Sequence, residues 1–240
     1  MADKPKLYLI PSPIAESNLD LHMPPIVPDS ILGIKHFLVE NVRTARRYIS
    51  SFGMNIEISE LIFYVLDKRS TTQDLNKMMQ PLNKGYNLGV ISEAGCPGIA
   101  DPGAKAVDWA HRHDFPVVPL VGPSSLFLAL MASGFNGQKF AFHGYLPISD
   151  IERVKAIQQL ERESAQQNQT QIFIEAPYRN KKLLEAIVKF GSPSTKLCIA
   201  RDITGAEEMV VTKSLAEWKK SLPDVNKIPT VFLLYSGVFD

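Results

Sequence analysis

The sequence predicts an α/β protein built as two α/β domains. Three observations carry that expectation. Short apolar runs of strand length alternate with 3.6-residue helical patterns through the first half, and two glycine- and proline-rich turns follow apolar strands near the middle. The second half then changes rhythm and sets two strands side by side with no helix between them. With 240 residues, 45% of them hydrophobic, the chain can bury a sizeable core in one large or two modest domains.

In chain order, strands are expected near Leu7 to Ile10, Ile34 to Val39, Ile62 to Leu66, Leu88 to Ile91 and Val117 to Leu120. Helices fall between them. Val42 to Phe52 places Ala45, Tyr48, Ile49 and Phe52 on one side, Leu75, Met78, Met79 and Leu82 repeat the pattern, and Val107 and Ala110 anchor Ala104 to His111. Such alternation predicts a parallel sheet. After Pro123 the apolar run Leu126 to Met131 reads as a helix buried on all sides, at the junction of the halves. Beyond it, strands are expected near Phe140 to Gly144, Gln171 to Glu175, Lys196 to Ala200, Met209 to Thr212 and Thr230 to Tyr235. Helices are expected at Ile151 to Glu163, Asn180 to Phe190 and Ser214 to Lys220, which together predict a mixed sheet. The polar tract Ser164 to Thr170 reads as a loop. The turn near Pro119 to Pro123 sets the boundary, with an N-terminal parallel α/β domain over 1–120 and a C-terminal mixed-sheet domain over 121–240.

Composition narrows the function classes. With 26 basic and 25 acidic side chains the net charge is +1, which argues against holding nucleic acid by general electrostatics. Arg43, Arg46 and Arg47 do cluster, and Arg43 and Arg47 stand four apart on one helix face, either a rim for phosphates or a solvated surface. No apolar run reaches the roughly 18 to 20 residues that span a bilayer, and the opening MADKPK has no signal-peptide core, so a cytoplasmic protein without a membrane partner is expected. Cys96 and Cys198 have neither a C-x-x-C neighbour nor a histidine at ligand spacing, so no metal site is expected. Trp109 and Trp218 sit on helix patterns as packing residues.

The chemistry concentrates in two turns. Leu88 to Ile91 empties into a loop with Gly95, Pro97, Gly98, Pro102 and Gly103 and two carboxylates, Glu93 and Asp101; Val117 to Leu120 leads into Gly122-Pro123-Ser124-Ser125. Turns of this kind at the carboxyl ends of strands let backbone approach a ligand closely.

At these residues the chain resembles the tetrapyrrole methylase superfamily of S-adenosyl-L-methionine (SAM) methyltransferases, and within it the branch that contains the small-subunit ribosomal RNA cytidine 2′-O-methyltransferase. Ser92-Glu93-Ala94-Gly95-Cys96-Pro97 with Asp101-Pro102-Gly103 is similar to the branch pattern S-D-A-G-x-P-x-x-x-D-P-G. Val118-Pro119-Leu120 with Gly122-Pro123-Ser124, Phe142 to Pro147, Ile174 to Arg179, and Glu207-Glu208 with Leu215-Ala216-Glu217 resemble four further motifs in the same order. The departures lie on the acceptor side. Ser12-Pro13-Ile14-Ala15, followed by Glu16 to Asp20, stands where the family has T-P-I-G-N-L-x-D, and Glu40-Asn41-Val42-Arg43 stands where it has E-D-T-R.

The resemblance implies SAM as cofactor, bound in a cleft between the two domains, and a homodimer. It assigns Pro11 to cofactor binding and places Glu93, Ala94, Gly95, Cys96 and Ile99 around the homocysteine and ribose portions, Ser124 and Ser125 opposite, and Ala176, Pro229 and Thr230 around the adenine; Tyr178 and Arg179, just before the Asn180 helix, are candidates for the cleft rim. Asp101 and Arg43 are the candidate catalytic residues. Asp101 could serve as a base or only cap the following helix; Glu40, Glu175 and His143 are other candidate bases. Three acceptor readings stand: ribosomal RNA, a tetrapyrrole or other small metabolite, or SAM binding without turnover. The close of the chain at Asp240, without the small C-terminal extension of longer members, counts against the first.

Overall fold

A computed structural model describes residues 4–15 and 22–238. The chain divides into two compact units, Met1–Ser124 and Ser125–Asp240. Both this division and the expected boundary at 120/121 lie in the segment that carries Gly122 and Pro123.

The first unit is a five-stranded parallel sheet. Its strands are β1 (Leu7–Ile10), β2 (His36–Val39), β3 (Ile62–Val65), β4 (Leu88–Ile91) and β5 (Val117–Pro119), in the order β3-β2-β4-β1-β5. Leu88 is level with both Leu7 and His36, so β4 runs down the middle with all four residues buried. At its second position a side chain has no room: a Cβ on Gly89 would fall 2.8 Å from Ile10 Cδ1 and 2.9 Å from Phe37 Cδ1. The helices are α1 (Ile26–Leu32), α2 (Val42–Ser51), α3 (Thr72–Met78), α4 (Gln80–Asn83) and α5 (Gly103–Arg112). On α2 the buried face is Ala45, Tyr48 and Ile49, as the periodicity predicts. The pattern that ends at Leu82 is two helices, not one, because Pro81 lacks the N–H that would continue α3 and instead sits in the first turn of α4. Trp109 packs in the core and donates its Nε1–H to Asn76 Oδ1 at 2.7 Å.

The second unit is a mixed sheet of β6 (Phe140–Tyr145), β7 (Thr170–Ile174), β8 (Lys196–Arg201), β9 (Met209–Ser214) and β10 (Thr230–Tyr235), in the order β6-β7-β10-β8-β9. Only β6 and β7 pair in parallel. The helices α6 (Ser125–Ser133), α7 (Asp150–Gln167), α8 (Asn180–Phe190) and α9 (Leu215–Trp218) complete it. Its core contains Ile157, Leu183, Ile187 and Leu234, with Phe173 and Phe232 stacked at 5.9 Å.

Two expectations fail here. The apolar helix α6 is not buried on all sides: Ala129 and Leu130 are, but Phe127 is 56% and Met131 78% exposed. The tract Ser164 to Thr170 is not a loop. Ser, Ala and Gln are compatible with a helix, so α7 runs on to Gln167 and ends at left-handed Asn168 (φ 50°), while Thr170 already opens β7. Ser164 is fully buried and accepts the Ser236 N–H at 2.8 Å. Among the described residues no helix is long and apolar enough to cross a membrane.

Candidate active site

The loops leaving the carboxyl ends of β1, β2 and β4 converge at one edge of the first sheet, the edge at which open parallel sheets hold ligands. Hydrogen bonds lock them together. Ser12 N–H donates to Gly95 O at 2.9 Å and Gly95 N–H returns to Ser12 O at 3.0 Å. Ser12 Oγ donates to Ser92 O at 2.7 Å and Ser92 Oγ to Gly95 O at 3.0 Å. From α2, the buried Tyr48 hydroxyl donates to Pro11 O at 2.6 Å, and burial pushes that phenol well above its ordinary range.

Gly95 takes φ +70°, where a Cβ would also press on Ile14 Cγ2 at 3.3 Å. Its main-chain donor and acceptor are both engaged with Ser12, so the glycine serves the turn itself and sets the loop's shape. Gly122 is constrained differently, since a Cβ there would lie 2.3 Å from the Pro11 ring. The two glycine-proline turns also touch where Cys96 Sγ meets Pro123 O at 3.5 Å, and burial raises the thiol's pKa.

A cavity of about 450 Å³ opens against these loops, walled by Ser12 to Ala15, by Thr44, Arg47, Tyr48 and Ser51 of α2, and by Ile91 to Ala94. A small cavity of about 10 Å³ shares Ile91 and Ser92 with it and is bordered by Glu40 and Asp101. Asp101 Oδ1 accepts the N–H groups of Gly98 at 2.8 Å and Gly103 at 2.7 Å. Its Oδ2 is buried with no hydrogen-bond partner among the described residues. Burial pushes the Asp101 carboxyl upward against the pull of those two N–H groups. Burial also raises Glu40, and the nearby Asp101 charge adds to it. Between Gly98 and Asp101, Ala100 is held at φ 61°, a left-handed geometry that costs a residue with a Cβ roughly 1 kcal/mol.

Pro11, Glu93, Ala94, Gly95, Cys96 and Asp101 are thus brought to one edge, with Ile99 exposed on the same loop. Ser124 ends the first unit and Ser125 opens α6. In the second unit Ala176 follows β7 while Pro229 and Thr230 lead into its antiparallel neighbour β10, so these three share one sheet end. Their polar groups are mostly engaged: Ala176 N–H donates to Glu175 Oε1 at 2.7 Å, Pro229 O accepts the Asp202 N–H at 2.9 Å, and Thr230 Oγ1 donates to Ile228 O at 2.9 Å. Beside them Asn180 is fully buried, its Nδ2 donating to Ile228 O at 2.6 Å and its Oδ1 without a partner among the described residues.

Other candidates have partners of their own. Glu175 is buried and bonds Arg179 at 2.6 Å as well as the Ala176 N–H, bracing the Ala176–Pro177 bend. His143 Nε2 meets Oε1 of the fully buried Gln171 at 2.6 Å. Glu217 forms a capping box with Ser214 at the start of α9. Arg43 is exposed on the first turn of α2 and is not among the cavity's lining residues, whereas Arg47 is. Asn41 caps α2, its Oδ1 accepting the N–H groups of Arg43 at 2.9 Å and Thr44 at 3.4 Å. Residues 16–20 of the first-loop motif lie outside the described residues. Sequence reasoning passed over Ser12 and Tyr48 as site-building residues; the available signal was a tyrosine on the apolar face of α2, whose hydroxyl needs a partner when buried.

The fold is shared with solved methyltransferases. The methyltransferase CobJ superposes with a TM-score of 0.62 at 15% identity, covering 97% of this chain and 94% of that one. The cobalt precorrin-4 methyltransferase CbiF gives 0.60 at 13% identity over 96% and 94%. No protein-family model matches the chain. Curated relatives are nearer in sequence. The ribosomal RNA small subunit methyltransferase I of Synechocystis sp. is 30% identical over 202 residues, 84% of this chain and 68% of that protein. Its namesake in Bacillus subtilis is 29% identical over 212 residues, covering 88% and 68%. The fold is therefore of the tetrapyrrole methylase type, and the chain is a SAM-dependent methyltransferase. It belongs to the ribosomal RNA small subunit methyltransferase I family.

Proposed function

We propose that this chain transfers the methyl group of SAM to a ribose 2′-hydroxyl of ribosomal RNA in the cytoplasm. The observation that carries the reading is the 450 Å³ cavity, walled jointly by the first-loop and α2 motifs and sharing Ile91 and Ser92 with the small cavity bordered by Asp101, whose Oδ2 is buried without a partner among the described residues. SAM suits this edge chemically: the carboxylates of Glu40 and Glu93 favour a sulfonium cation and ribose hydroxyls, and the locked backbone of Pro11, Ala94, Gly95 and Cys96 supplies a fixed wall. Ile99 and Ser124 would add to that wall. When bound, SAM would supply an electrophilic methyl carbon and, in its sulfur, a leaving group able to retain the C–S electron pair.

The chain's residues do the rest. The cavity walls hold the acceptor ribose in line and exclude water, which is where most of the rate gain in such displacements arises. Asp101 Oδ2 takes the hydroxyl proton as the new C–O bond forms. Its raised pKa brings it nearer the operating pH than an exposed aspartate, as suits a general base. Arg47 at the wall and Arg43 above it contact phosphates of the RNA. We also propose a homodimer, supported by the exposed apolar residues Phe127, Met131, Ile148 and Ile151 of the second unit.

The deciding assay supplies labelled methyl-SAM to ribosomal small subunits, total RNA and tetrapyrroles in parallel. Label in ribose of the small-subunit RNA is expected. Label in a tetrapyrrole, or in nothing despite SAM binding, would overturn the acceptor.

A further inference from the structure

A second, larger pocket lies at the opposite end of the first sheet, where β2 and β3 begin. It encloses about 1000 Å³, and its walls include Lys35, His36, Tyr64, Lys77, Lys84 and Tyr86. The three rings form one cluster. His36 stacks on Tyr64 at 6.0 Å with 16° between planes, its Nδ1 lies 3.1 Å from the Tyr64 hydroxyl, and it meets Tyr86 at 5.3 Å. Tyr86 is 52% exposed, so the cluster has an accessible aromatic surface.

The charges around these rings are lopsided. Lys35 pairs with Glu60 at 3.6 Å, but Lys77 and Lys84 form no ion pair among the described residues. Burial and the Lys84 charge both push the His36 pKa down, which favours a neutral, stacking imidazole. Aromatic faces interleaved with unpaired lysines are what a single-stranded nucleic acid recognises: bases stack on the rings and phosphates meet the ammonium groups. An acidic peptide would use the lysines and leave the rings idle.

We propose that this pocket is a second binding site, for single-stranded RNA, with bases on Tyr86 and His36 and phosphates on Lys77 and Lys84. It takes the identity of the polymer from the acceptor proposed above, but its contacts are separate from the methyl-transfer edge.

The test uses the full chain and a fluorescein-labelled, unstructured single-stranded oligoribonucleotide, with affinity read by anisotropy over a salt series. Tyr86→Ala should weaken binding about 5- to 160-fold, the range for loss of one stacked base, and Tyr86→Trp should restore it. Lys77→Ala with Lys84→Ala should lower the slope of log affinity against log salt by about 1.4, since each phosphate contact on a single strand contributes about 0.7. SAM affinity and the circular dichroism spectrum should stay unchanged in all variants. Wild-type protein that fails to bind the probe at low salt overturns the site. So does an unaltered affinity in folded Tyr86→Ala, and competition by polyglutamate in that case marks an acidic-peptide surface instead. Variants that bind and methylate ribosomal RNA like wild type sink the pocket and leave the acceptor standing. A probe lost with Tyr86 in a protein that methylates no RNA does the reverse.

Discussion

Asp101 performs two tasks with one carboxylate. Its Oδ1 closes the Gly98–Gly103 turn, while its Oδ2 stays buried and unpartnered among the described residues. Asparagine reproduces the first task and not the second, so Asp101→Asn should keep SAM affinity within about twofold while kcat falls on the order of a hundred- to ten-thousandfold, the usual worth of a general base. In the wild type, activity should fall as pH drops through the raised Asp101 pKa; residual activity of the variant should lack that limb. Stability has the opposite sign. Because the folded carboxyl titrates above its ordinary value of 3.8, it favours the fold below that value and loses the contribution as pH rises through the folded pKa. Relative to wild type, Asp101→Asn should therefore gain thermal stability with rising pH, measurable by melting curves at a series of pH values.

At the scale of the element, α2 shows how a departure from a motif can leave its structural role intact. Asn41 stands where the family has aspartate, yet its side chain still caps the helix. Asn41→Ala should cost about 1 kcal/mol in urea unfolding of the first unit, and Asn41→Asp only a few tenths. A full loss of the cap's effect in Asn41→Asp would show that the amide is needed for some other reason. Legibility followed the same physics. β1, β4, β10 and α8 begin and end where the pattern of apolar residues and turn formers places them, because local signals there agree with tertiary packing. The extent of α7 was hidden because Ser, Gln and Asn are equally at home in turns, and only the burial of Ser164 reveals the helix. In the site, glycine turns and carboxylates stood out in the sequence. The bonds from Tyr48 to Pro11 and from Ser12 to Gly95 did not, since they join residues far apart in the chain.

For the whole molecule, the exposed face of α6 bears on assembly. A helix that is apolar all round but solvated over Phe127 and Met131 has a surface that a second copy can cover. Met131→Glu should shift the protein to half its mass in light scattering at micromolar concentration, with methyl transfer measured alongside. A wild-type monomer would remove the homodimer. The first unit adds a consequence of geometry. The cavity proposed to hold the acceptor lies at one end of four-residue strands and the basic, ring-lined pocket at the other, roughly 13 Å of sheet apart. An RNA engaging both must reach from end to end. Polymer length thus becomes a measure of substrate quality: a mono- or dinucleotide could occupy one end only, and catalytic efficiency would climb with each added nucleotide until the strand is long enough to bridge them, then level off.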